Sequence, residues 1–300
     1  VKKYLTILLL GSVLALQAQT TPASDTLNHK KLRAVAISVS GLYVASMAVL
    51  YQAWYKDFQG SGFHWADDAG EWLLKDKMGH FTTTYQVGNY GYWMLRNAGL
   101  PENKAIWYGG TWGFIYMASI EVLDGFSDGW GASPSDLLAN TLGTSLFIAQ
   151  QALWHEQRMR LKFSYHPTQY AQYRPDLLGE NGWQRIIKDY NGETNWLSIN
   201  VHDFLKPDNQ FPDWFCISLG YGATGMLGAY ENPAVYKGNT LPQFKRRSQF
   251  YFSVDVDWTK IKTSSKALRT LLRALSFIKI PAPAIELSRD NGFKFHPLYF

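Results

Sequence analysis

Apolar residues fall in long stretches up to about residue 160 and in short, turn-bounded runs beyond it. Four of the long stretches predict helices. The first, residues 34–55, carries no charge and is long enough to cross a bilayer. The second, residues 76–96, opens on polar residues and then turns apolar and aromatic, with Gly88 and Gly91 spaced for close helix contact. The third, residues 104–123, is introduced by Pro101 and runs into a Gly-rich acidic turn at 124–131. The fourth begins with Ser133 as cap, Pro134 at the first helical position and Asp136 in the first turn, and continues through Trp154. The expected architecture is mainly α: a membrane-associated four-helix bundle over residues 32–160, an aromatic-rich connector over 161–210 and a small α+β appendage over 211–300.

The second half has a different texture. Residues 214–219, 221–228 and 249–258 read as strands between Gly and Pro turns, and 265–278 as an amphipathic helix stopped by Pro281 and Pro283. The tail alternates through Phe293, Phe295, Tyr299 and Phe300, as the closing strand of an outer-membrane barrel does. Too few strands precede it to predict a full barrel.

Composition adds an envelope address. Aromatic residues make up 16% of the 300-residue chain, a load that suits a membrane interface or a thick aromatic core. Lys2 and Lys3 precede an apolar run over 4–16, and Leu16, Gln17 and Ala18 form a small-residue cleavage signal, so residues 1–18 are expected to be a secretory signal peptide. The single cysteine, Cys216, cannot form an internal disulfide. The net charge of +5 is dispersed, which disfavours nucleic acid as a partner. Basic residues beside apolar helices suit lipid headgroups, so membrane lipid is the expected partner and an envelope protein a second one. Four spans after a cleaved signal would set both ends of the bundle, with Lys30, Lys31, Arg33, Arg158 and Arg160, on the side the positive-inside rule disfavours. Inner and outer membrane therefore stay open as locations.

Candidate chemistry lies in two polar signatures inside these apolar stretches, because buried ionisable groups are costly unless paired, protonated or metal-bound. Asp76 and His80 share a helix face four residues apart, with Lys77 turned aside. Glu121 and Asp124 close the third stretch, and Asp136 and Asn140 open the fourth, again at same-face spacing. An up-and-down bundle would bring all seven to one end. Two readings stay open: a structural network, or a site in which His80 acts as general acid or base with Lys77 receiving an anionic group. No cofactor is expected; were a cation held, the oxygen-rich set would suit Mg or Ca better than Zn. Gly125, Gly129 and Gly131 either offer backbone N–H groups to a phosphate or simply make the turn.

The ordered series Asp76, Lys77, His80, Phe81, Glu121, Asp124, Ser133, Asp136, Ala139, Asn140, Gly143 resembles the YfiM-like family of predicted periplasmic lipoproteins of unknown function, and more distantly the VanZ-like membrane proteins. The likeness covers roughly residues 70–145. It implies an envelope location and a four-helix unit. The function expected is support of envelope integrity or assembly, with an enzyme acting on a lipid-linked or phosphate-bearing envelope substrate through His80 as the alternative. No cysteine follows the signal, a departure from the lipoprotein pattern.

Overall fold

The structure is a computed structural model that describes residues 26–55, 60–206, 208–289 and 292–300. The expected signal peptide lies outside them. The helices are α1 (His29–Leu50), α2 (Lys75–Asn97), α3 (Glu102–Gly110), α4 (Trp112–Gly125), α5 (Pro134–Trp154), the one-turn α6 (Pro175–Leu178), α7 (Gly182–Lys188) and α8 (Lys266–Ala274). The strands are β1 (Met159–Tyr165), β2 (Glu193–Asn200), β3 (Phe215–Thr224), β4 (Val235–Tyr236), β5 (Asn239–Thr240), β6 (Arg247–Val256), β7 (Ala282–Ser288) and β8 (Gly292–Tyr299). The protein is thus mixed α and β, which corrects the expectation of a mainly α four-helix bundle with a small appendage. β1, β2, β3, β6, β7 and β8 form one antiparallel sheet in that order, and β4 and β5 a separate hairpin. The third helical stretch is also broken, at Thr111, where Gly109 and Gly110 end α3 and Trp112 begins α4.

The chain divides into two compact units. Among the described residues, the first comprises those of 26–67, 83–157 and 261–275, the second those of 68–82, 158–260 and 276–300. In the first unit, glycines rather than large side chains set the helix spacing. A Cβ on Gly113 would stand 2.1 Å from the Thr84 carbonyl oxygen, and one on Gly109 would stand 2.3 Å from the Tyr92 backbone nitrogen. α2 therefore runs backbone to backbone past α3 and α4, an approach that only residues without a side chain permit. Val35, Leu95 and Ala105 pack beside this seam, and Phe147 of α5 meets the rings of Tyr85 and Tyr92. A buried amide chain closes the end of α5: Gln157 Nε2 donates to Gln151 Oε1 at 3.1 Å, and Gln151 Nε2 donates to the Tyr92 hydroxyl at 3.0 Å. α8 rests on α2, with the Tyr90 hydroxyl donating to the Ala274 carbonyl at 2.7 Å and the Arg273 guanidinium over the Trp93 ring.

In the second unit the two faces of the sheet differ in chemistry. One row of cross-strand neighbours reads Leu161, Leu197, Leu219, Phe252, Ile285, Phe295. The adjacent row, on the opposite face, reads Lys162, Trp196, Gly220, Tyr251, Glu286, Lys294. On that second face Lys162 pairs with Asp255 at 2.8 Å, both fully buried, Arg160 pairs with Asp257 at 3.1 Å, and His296 Nε2 lies 2.8 Å from Glu286, while Lys294 at the sheet's end is exposed. Gly220 leaves room for the Trp196 ring, which a Cβ there would meet at 2.7 Å. The sheet curls around this face, since the Tyr299 hydroxyl of β8 reaches Thr194 Oγ1 of β2 at 3.0 Å although three strands separate them in the sheet. The far edge of β1 is covered: Phe163 N–H donates to the Phe277 carbonyl and Lys279 N–H to the Phe163 carbonyl. A satellite core of Trp72, Leu178, Ala223, Met226 and Leu227 packs beyond the sheet.

Candidate functional site

Asp76, Lys77 and His80 belong to the second unit and Glu121, Asp124, Asp136 and Asn140 to the first, so each group is built from its own surroundings. The first signature sits in the opening turns of α2. The chain reaches it through three consecutive non-glycine residues with left-handed backbone, Trp72 (φ 50), Leu73 (φ 52) and Leu74 (φ 66), a costly conformation that persists only where neighbours impose it. The neighbours are identifiable. Trp72 N–H donates to the Ala229 carbonyl at 2.7 Å, its ring packs on Tyr190, and the Tyr221 hydroxyl donates to the Leu73 carbonyl.

Past that strained turn, Lys77 lies between two carboxylates, 2.7 Å from Asp68 and 3.0 Å from Asp76. Asp76 also accepts the Tyr190 hydroxyl at 2.9 Å. His80 follows Asp76 one turn along the helix, half-buried. The residue sequence reasoning passed over is Lys75. It is fully buried and its ammonium donates to Asn195 Oδ1 on β2, while Asn195 Nδ2 donates to Thr82 Oγ1 at 3.1 Å and to the Met78 carbonyl at 3.3 Å. Burial pushes the Lys75 ammonium down to about 8, and the nearby Glu193 carboxylate opposes that fall. Helical spacing held the signal that would have found it, because Lys75 shares a face with Met78, Gly79 and Thr82.

The second signature ties helix ends together in the first unit. Glu121, buried in the last turns of α4, accepts the Ser133 backbone N–H at 2.9 Å. Ser133 caps α5 as its sequence predicts, its hydroxyl accepting the Asp136 N–H at 3.0 Å. Asp136 and Asn140 are both buried on the inward face of α5. Asp124 accepts the Tyr55 hydroxyl at 2.6 Å; burial first, and then the Asp124 charge, push that phenol well above its ordinary range, so it stays a donor.

The glycine-rich turn is occupied by protein. Residues 60–66 run beside it, with Ser61 N–H on the Phe126 carbonyl, His64 N–H on the Gly125 carbonyl and Ala66 N–H on the Ala132 carbonyl. His64 Nε2 lies 2.6 Å from the Trp130 carbonyl, and a Cβ on Gly125 would strike the Phe63 ring at 2.3 Å. These glycines admit Phe63 and Ala66, which answers in favour of the turn-making reading over a phosphate cradle.

Residues 63–151 match the profile of a family described as predicted periplasmic lipoprotein (DUF2279), a stretch that holds both signatures but under a third of the chain. No curated protein and no solved structure matches. Among the described residues, α1 is the one helix long and apolar enough to cross a membrane, by length and composition. Over its matched residues the chain is similar to this periplasmic lipoprotein family of unknown function, and it is an exported, membrane-associated protein of the cell envelope.

Proposed function

We propose that the protein supports envelope integrity or assembly without turnover, and that Asp76, Lys77, His80, Glu121, Asp124, Asp136 and Asn140 are fixings of the fold rather than reacting groups. The observation that carries this reading is how the charges are engaged. Lys77 is shared by two carboxylates, Glu121 holds a backbone amide, and Asp124 holds a phenol. Asp124 and Asp76 reach Tyr55 and Tyr190 across long stretches of sequence, Glu121 closes a helix end and Lys77 ties the start of α2 to Asp68, all of which stabilise a fold. The finer likenesses to YfiM-like and VanZ-like proteins are compatible with it.

The competing reading makes His80 a general acid or base on a lipid-linked or phosphate-bearing envelope substrate, with Asp76 one turn away to orient it. A single variant separates the two. In cells lacking the protein, His80→Gln should restore exclusion of a normally impermeant dye at low temperature, while the purified variant loses about 1 kcal/mol of stability as a half-buried polar contact is lost. Unchanged melting together with failure to restore the barrier would overturn the non-enzymatic reading and leave the catalytic one.

A further inference from the structure

The outward face of the sheet is apolar and exposed across β3, β6, β7 and β8, while at its other end Leu161 of β1 and Asn195 of β2 are buried, Asn195 beneath Lys75 of α2. Leu219, Phe252, Ile285 and Phe295, neighbours in one cross-strand row, are 50, 47, 44 and 63% exposed. The row beside it continues through Phe250, Leu287 and Phe293, the last 79% exposed. No charged side chain interrupts either row, and the charges of β1, β6, β7 and β8 lie on the opposite face, where Lys162 and Asp255 pair out of water; Glu193 of β2, on the outward side, is buried. Apolar outside and polar inside is the partition of a strand wall whose solvent is lipid, and it is the reverse of a sheet in water. β3 and β6, at 10 residues each, also have the length that a tilted bilayer-crossing strand needs.

We infer that this face contacts the hydrocarbon of a lipid bilayer, so that the sheet itself anchors the protein in the membrane. Its curvature selects that occupant over a second copy of the chain. The inner-face contact of Tyr299 with Thr194 draws β8 toward β2, which makes the apolar face convex. Two convex faces meet along a line and leave most of each uncovered, whereas fluid acyl chains conform to the curve. The inference is independent of the role given to the polar residues of α2, α4 and α5.

The test uses the full chain with Cys216 replaced by Ser and one new cysteine at a time: Leu219→Cys, Phe252→Cys, Ile285→Cys and Phe295→Cys, with Glu180→Cys as an exposed control. Each is labelled with a small fluorophore in detergent, checked for the parent circular dichroism and reconstituted into phosphatidylethanolamine and phosphatidylglycerol vesicles. Lipids carrying a nitroxide on the acyl chain should quench the four sheet labels about threefold more strongly than the control, as expected for a lipid-facing wall. Sheet labels reached by aqueous iodide and not by the nitroxide would overturn the inference. Labels shielded from both would overturn it as well, because a protein surface would then cover the face. The four positions lie on four strands and are read separately, so one misfolded variant does not decide the result.

Discussion

At the scale of single residues, helix ends are where polar side chains are most plainly engaged. Ser133 shows it best: its hydroxyl caps α5 through the Asp136 N–H while its own N–H goes to Glu121. Ser133→Ala removes the first bond and keeps the second, so it should lower stability by about 1 kcal/mol, read from the midpoint of a denaturant titration with the slope unchanged. Ser133, Pro134 and Asp136 were legible in the sequence because capping depends on residue type at fixed offsets. Lys75 was legible only in part: helical spacing puts it on a face with Met78 and Thr82, but its partner Asn195 and the nearby Glu193 lie more than a hundred residues away on a strand. The same holds for Asp68 and Tyr190, which complete the surroundings of Lys77 and Asp76 from segments that carry no motif.

At the level of elements, the helices of the first unit are held by near contact of their backbones. Gly113→Ala would set a methyl 2.1 Å from the Thr84 carbonyl oxygen, and no side chain rotation relieves a clash with backbone. The expected cost is about 1–3 kcal/mol, from forced separation of α2 and α4, and a thermal melt of the purified variant measures it. An alanine at Gly41, where nothing lies within 4 Å, should be tolerated in the same assay and serves as the control. The helices were visible in the sequence because their apolar residues recur over many turns. β3, β6 and β8 fall where short alternating runs read as strands, whereas β1, β2 and β7 were hidden, in part because the covered face carries Arg160, Lys162 and Glu286, residues a reader assigns to solvent. β1 and β2 thus fall in the stretch that reads as an aromatic-rich connector.

For the molecule as a whole, the change of texture along the chain was legible but its meaning was not: polar groups fix helix ends in one unit and line the closed face of a sheet in the other. Both arrangements sit in an exported, membrane-associated protein. Alkaline carbonate washing of isolated envelopes should leave the protein in the pelleted membranes, and its release into the supernatant would show attachment through surface charge alone. The margins of the sheet matter here too. Residues 277–279 cover β1, whereas β8 has no ladder partner on its far side among the described residues. A ribbon open on one margin only can be lengthened once. If two chains zip together through β8, the joined product has both outer margins sealed, so growth stops at a pair and cannot run on into a fibre.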